Sequence, residues 1–157
     1  MTYFNRDDFA CSNQTFGHLI HLLNQAKDRC LEKHLQPYDI TTAQFKVLLL
    51  MARGNIQNTA DLVRTLSIDS GAMTRMLDRL ENKELLIRSR STTDRRQVLL
   101  ALTPEGRQFA EEIPKIAADA LNDLTQALEH SEIDTLHVLL NKMLTVHTPL
   151  SATVNED

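Results

Sequence analysis

The chain has 157 residues, 42% hydrophobic and 24% charged, an ordinary globular composition with enough length for one domain and a core that needs no staples. Four Gly and four Pro are too few for the frequent turns of a β-sandwich or barrel, and two cysteines, Cys11 and Cys30, give neither a disulfide scaffold nor a zinc-ligand spacing. The formal net charge of −4 averages over unlike stretches: residues 1–60 hold six Lys/Arg against five Asp/Glu, 61–104 eight against six, and 105–157 three against ten. A basic middle beside an acidic end fits a polyanion-binding centre flanked by a part that faces elsewhere. No apolar run approaches the roughly 18 residues of a membrane span, and MTYFNRDDFACSNQ at the start carries no basic-then-apolar leader pattern. The expectation is a soluble cytoplasmic protein with no membrane partner.

In chain order, Phe16, Leu19, Ile20, Leu23, Ala26, Cys30 and Leu31 recur at three- and four-residue steps, which predicts an amphipathic helix over 16–35. Pro37 and the stretch 39–41 end it, and Thr41 is the expected N-cap of a second helix, Ala43 to Arg53, closed by Gly54 and Asn55. Ala60, Leu62, Val63 and Leu66 mark a short third helix.

The fourth helix is predicted from an Asp69 cap to about Lys83, with Met73, Met76, Leu77 and Leu80 on one inward stripe. Its outward N-terminal half is small and polar (Ser70, Gly71, Ala72, Thr74) and ends in Arg75. Small residues let a backbone approach a groove floor, and an arginine there bonds a guanine edge or clamps a phosphate. Leu85–Ser91 and Val98–Leu102 then read as two strands of a hairpin around Thr92-Thr93-Asp94-Arg95-Arg96. Arg95 and Arg96 at such a tip suit the negative potential of a narrow minor groove, with Asp94 as their brace.

Three helices followed by a basic-tipped hairpin give the order of a winged helix-turn-helix. The expected fold is therefore mainly α with a small β-hairpin, residues 37–103 forming a DNA-binding lobe. Thr103 and Pro104 start a long helix expected to bend near Pro114, its apolar positions running from Ile113 to Leu128. Ser131 with Asp134 is expected to begin the last helix. The apolar stripes of 1–36 and 104–147 are best explained as dimerisation helices, which would let two recognition helices read a pseudo-palindromic operator. Residues 148–157 read as a disordered tail.

At this point the segments LIHLLNQAKDR (19–29), DITTAQFKVL (39–48), LSIDSGAMTRMLDRLENK (66–83) and DRRQVLLALT (94–103) resemble the MarR family of regulators. The last carries the family's D-x-R followed by L-T as Asp94, Arg96, Leu102 and Thr103, and the resemblance covers roughly residues 16–147. It implies a homodimeric repressor that leaves double-stranded operator DNA when a small phenolic or carboxylate aromatic acid binds. Carried over by position, Thr74 and Arg75 contact bases and phosphates, Ser70 and Gly71 meet phosphate through backbone N–H groups, and Gln44 approaches the DNA backbone. Arg96 enters the minor groove, braced by Asp94. The implied ligand crevice is lined by Thr74, Arg79 and Arg88 on its DNA-facing side and by His18, His21 and Arg29 on the other.

One departure stands out. Where relatives commonly have glycine after the recognition helix, this chain has Glu84, which must accept a left-handed conformation or close the helix differently. Redox sensing through Cys11 or Cys30, or metal sensing through His18, His21 and His34, is the alternative control mode. No G-x-S-x-G, phosphate-cradling loop or H-E-x-x-H occurs, so neither enzyme activity nor a cofactor is expected, and no metal site is assigned.

Overall fold

Helix caps set most of the element boundaries. The computed structural model describes residues 15–54, 56–91 and 97–146. Thr15 opens α1 (Phe16–Leu35), its hydroxyl accepting from the His18 N–H at 3.3 Å. A single 3-10 turn, Gln36–Tyr38, follows and ends on Asp39 in a left-handed conformation. Thr41 then caps α2 (Thr42–Ala52) in a reciprocal box: its hydroxyl accepts from the Gln44 N–H at 3.2 Å, and the Gln44 side chain accepts from the Thr41 N–H at 3.0 Å. Gly54 leaves α2 at φ +72°, a conformation glycine adopts without a Cβ penalty.

Asn58 caps α3 (Thr59–Leu66), and Asp69 caps α4 (Ser70–Asn82), accepting from the Ala72 N–H at 3.0 Å. β1 (Leu86–Arg90) and β2 (Val98–Leu102) pair antiparallel, with Arg88 opposite Leu100. The segment before α3 joins them through a bridge between Asn58 and Leu99 and a 2.8 Å bond from the Leu100 N–H to the Gln57 carbonyl. α5 (Pro104–Thr125) starts where Thr103 accepts from the Gly106 N–H at 2.9 Å, and Pro114 lies inside it.

Two expectations about the C-terminal part are corrected. α6 (His130–Leu144) is entered through Glu129, whose N–H donates to the Glu132 carboxylate at 2.9 Å, so Ser131 lies inside the helix instead of capping it. A carboxylate three residues on serves that cap as well as a hydroxyl would. Leu128 falls in the turn after α5, not on its stripe.

The chain divides after Leu121 into two compact units. In the first, one buried cluster joins Leu31 and Leu35 of α1, Phe45, Val47 and Leu48 of α2, Leu62 of α3, Met73, Leu77 and Leu80 of α4, Leu86 and Leu100 of the hairpin, and Phe109, Ile113, Ile116 and Ala120 of α5. The C-terminal part of α1 and the first four turns of α5 therefore complete the core under the winged-helix elements. In the second unit α6 buries no residue within the chain.

Glu84 takes the left-handed conformation, φ 58°. It closes α4 in a Schellman turn, with the Leu85 N–H bonded to the Leu80 carbonyl at 3.0 Å and the Glu84 N–H to the Glu81 carbonyl at 2.9 Å. The entry to the hairpin thus keeps the geometry that glycine would give.

Candidate nucleic-acid interface

The inward stripe of α4 fixes what its other side presents. With Met73, Leu77 and Leu80 buried, Ser70, Gly71, Thr74, Arg75 and Arg79 are exposed and Ala72 is half-buried. The Thr74 hydroxyl donates to the Ser70 carbonyl at 2.9 Å, which holds that side chain along the helix. The Arg75 guanidinium reaches back over Gly71: a carbon added there would sit 3.6 Å from Arg75 Nη1. The first turn therefore offers small side chains, outward N–H groups and one folded-back cation, the composition that suits a groove edge and its phosphates.

Gln44 is placed differently from a surface contact. Its side chain is 4% exposed and is used by the Thr41 capping box. It reaches this side only as part of a hollow of about 230 Å³ that it shares with Ala72, Arg75, Met76 and Arg79. The hairpin-tip candidates Asp94, Arg95 and Arg96 lie outside the described residues, as do Cys11 and the tail 148–157. Arg90, the last residue of β1, is exposed beside that tip segment.

The six residues expected around a ligand crevice do not form one site in the single chain. Thr74 and Arg88 line a common hollow of about 730 Å³ whose walls come from α3, α4 and the hairpin. Arg79 opens onto the separate hollow beside Gln44. His18, His21 and Arg29 are exposed along α1, the two imidazoles stacked at 6.5 Å and His21 Nε2 lying 2.9 Å from the Gln25 amide nitrogen. Among the described residues no three His, Cys, Asp or Glu side chains gather to hold a metal ion. Cys30 is half-buried against the core, and no helix among the described residues is long and apolar enough to cross a membrane.

Arg88 also has partners that periodicity did not reveal. Its guanidinium donates to the Glu81 carboxylate from Nε at 2.9 Å and from Nη2 at 2.5 Å, and Nη2 lies 2.7 Å from Asp78 Oδ1. The hydrogen bond from Arg88 is the main reason the Glu81 carboxyl is held below its ordinary value of 4.5, with burial opposing it. The same bond raises Arg88. A charge alternation in the sequence gives no sign that two acids seven and ten residues upstream meet this arginine.

Gly106 was missed altogether. A side-chain carbon on it would collide with the Leu85 carbonyl, because α5 starts flush against the chain entering β1. Thr103 ties the same joint, its hydroxyl donating to the Glu84 carbonyl at 2.5 Å. At the foot of α4, Lys83 Nζ pairs with Asp39 Oδ2 at 2.6 Å and donates to the Asp39 carbonyl.

Residues 40–98 match the family model described as MarR family. The chain is 43% identical over 129 residues to the multiple antibiotic resistance protein MarR of Escherichia coli K12, covering 82% of this chain and 90% of that protein. A crystal structure of a cysteine-to-serine mutant of E. coli MarR complexed with operator DNA superposes with a TM-score of 0.70 at 42% identity, over 82% of this chain and 92% of that one. A structure of Bordetella bronchiseptica BpsR, described as showing how 6-hydroxynicotinic acid regulates its DNA binding, gives 0.72 at 29% identity, over 83% and 98%.

Proposed function

The chain belongs to the MarR family, and from that premise we propose that it is a homodimeric transcriptional repressor that binds operator DNA and is released by a small aromatic acid. The observation that carries this reading is the outward side of α4: Ser70, Gly71, Thr74 and Arg75 stand exposed on a helix that buries Met73, Leu77 and Leu80 and half-buries Met76 on its opposite stripe, beside a two-stranded hairpin. In this reading α4 enters the major groove, Ser70, Gly71 and Ala72 bring backbone N–H groups to phosphate, and Thr74 and Arg75 reach base edges or phosphate. The hairpin tip carries Arg95 and Arg96 to the flanking minor groove, with Asp94 as brace.

The dimer brings two such helices to successive half-sites of a pseudo-palindrome. Support for it is the apolar surface left uncovered in one chain: Phe16, Leu19, Ile20 and Leu23 on α1, and Val138, Leu139, Leu140 and Leu144 on α6. Apolar side chains exposed in this number on a single helix mark an interaction site.

The effector is a phenolic or carboxylate aromatic compound, the class to which the acid described for BpsR belongs. The hollow shared by Thr74 and Arg88 abuts the proposed reading helix, and its wall includes the Arg88 guanidinium that Glu81 and Asp78 hold in place. Binding there releases DNA only if the ligand favours a lobe spacing that no longer matches the half-sites. The regulated genes serve aromatic-compound breakdown or drug efflux and stress defence.

A mobility-shift titration on the DNA upstream of the protein's own gene, with and without salicylate and hydroxycinnamates, tests the whole reading. Specific binding with steep salt dependence, released by one of these acids, is the expected result. Absence of specific binding overturns the repressor assignment. Binding insensitive to every acid but abolished by peroxide or zinc replaces the effector with the cysteines or histidines.

A further inference from the structure

Arg88 lies at the middle of β1, and one carboxylate grips it twice. Glu81 Oε1 accepts from the Arg88 backbone N–H at 3.2 Å while Glu81 Oε2 accepts from both Nε and Nη2. Asp78, one turn earlier on α4, pairs with the same Nη2 through Oδ1 at 2.7 Å. On the opposite edge of the hairpin, the residue directly across from Arg88 is Leu100, whose N–H is bonded to the Gln57 carbonyl. The hairpin is thus gripped on both edges at a single rung, by α4 on one side and by the segment leading into α3 on the other.

The Arg88 and Glu81 side chains keep 27% and 36% of their exposure, and ion pairs this open contribute little to stability. What the contact fixes is orientation: Nε and Nη2 converge on Glu81 Oε2 while Oε1 holds the Arg88 backbone N–H, so one carboxylate ties both side chain and strand to α4. That matters because of leverage. An extended chain covers about 10 Å over the three residues from Arg88 to Ser91, the last described residue before the tip segment. A swing of about 10° about this rung therefore displaces Ser91, where the chain enters the tip, by about 2 Å, more than a hydrogen bond tolerates.

We propose that Arg88 and Glu81, with Asp78, form a clamp that sets the angle of the hairpin on α4 and so aims the tip arginines at DNA. They are positioning residues that need not touch the operator themselves. The proposal rests on the operator-binding reading above. It goes beyond that reading by placing part of the DNA affinity in side chains that face the protein's own recognition helix.

The test is a double-mutant cycle on the full-length protein, read by fluorescence anisotropy with a labelled operator, alongside melting temperature and sedimentation. Arg96→Ala alone is expected to weaken operator binding about 10-fold or more, and Glu81→Ala alone by about 10-fold, with melting and dimerisation close to wild type. In the double mutant the losses do not multiply: once the clamp is gone, removing Arg96 costs less than about 3-fold more. A merely structural role predicts multiplying losses, and that outcome overturns the proposal, as does full affinity in Glu81→Ala. If Glu81→Ala melts early, Glu81→Gln takes its place in the cycle, because it keeps an acceptor while removing the charge. Full affinity in Arg96→Ala instead overturns the hairpin's role in the operator reading, and the clamp proposal with it. Arg88→Lys, which keeps the charge and loses the paired Nε and Nη2 donors, is expected to behave like Glu81→Ala.

Discussion

α4 and α6 are helices of thirteen and fifteen residues that distribute their apolar side chains in opposite ways. α4 leaves Met73, Leu77 and Leu80 no more than 1% exposed and shows Ser70, Thr74, Arg75 and Arg79 to solvent. α6 buries nothing in the single chain and leaves Val138, Leu139, Leu140, Met143 and Leu144 between 41% and 64% exposed. The first helix is finished inside one chain, so its open side is free to be polar and to read a polar surface. The second buries none of its residues, and covering its apolar area is worth roughly 25 cal/mol per Å². α1 contains both conditions, with Leu31 and Leu35 in the core and Phe16 to Leu23 open.

The largest expected effect strikes the self-sufficient region. Gly106→Ala drives a carbon into the Leu85 carbonyl and against Leu102, where backbone must move and not merely a side-chain tip. A loss of about 3 kcal/mol is expected, read as an earlier thermal transition by circular dichroism. Unchanged melting would mean that the joint between the hairpin and α5 has room to relax.

Next comes the region proposed to meet a second chain. Leu140→Asp is expected to weaken dimerisation by about 100-fold, the scale of a buried interface anchor, as measured by sedimentation. Thr74→Asp makes the sharper contrast: the same kind of change on α4 is expected to leave the dimer intact and abolish operator binding. If Leu140→Asp stays dimeric, the assembly surface is not α6 and the opposition between the two helices fails.

Much of the first helix's design was legible because caps and stripes are local. Thr41, Asp69 and Thr103 announce their helices through a side chain bonded to an amide two or three residues on, and period 3.6 sorts Met73, Leu77 and Leu80 inward. What escaped was set by tertiary approach. Arg88 meets Glu81 only after the chain has turned through Glu84, and Gly106 matters only because α5 lands on Leu85. The Glu129 box escaped for another reason: glutamate is a weaker cap signal than the nearby Ser131, although the geometry uses it. Of the candidate site, the α4 residues were readable from one helical wheel. The crevice residues were not, since His18, His21 and Arg29 sit on α1, far along the chain from Thr74 and Arg88, and spacing cannot bring such stretches together.

A smaller effect isolates the polar side of α4. Arg75→Ala is expected to cost about 1–3 kcal/mol of operator binding, by anisotropy, with melting and dimerisation unchanged because the side chain is exposed. Loss of folding would make Arg75 structural. At the other end of the same helix, Glu84→Gly relieves a left-handed glutamate at φ 58° and is expected to raise stability by about 1 kcal/mol, read from urea midpoints. No gain would mean that the Schellman turn holds glutamate without strain.

The smallest effect concerns the clamp between α4 and β1, and its sign is fixed by proton linkage. The hydrogen bond from Arg88 holds the folded-state Glu81 carboxyl below 4.5, against the opposing influences of burial and Asp78. The unfolded chain therefore takes up this proton first as pH falls. The clamp's contribution is full above about 4.5 and is lost as pH drops through the lower folded value. Arg88 is raised from an ordinary value of 12.5, so its contribution is constant over any practical range and adds no second limb. Because the pair is partly solvent-exposed, the amount is under about 1 kcal/mol. The stability gap between wild type and Glu81→Gln, from urea midpoints, is therefore expected to be small at about pH 6 and to close as pH falls below 4.5. A gap independent of pH would mean that no ionised Glu81 holds the hairpin. A closing gap, set beside the 10-fold loss of operator affinity expected of Glu81→Ala, would separate the clamp's slight part in stability from its part in aiming the hairpin.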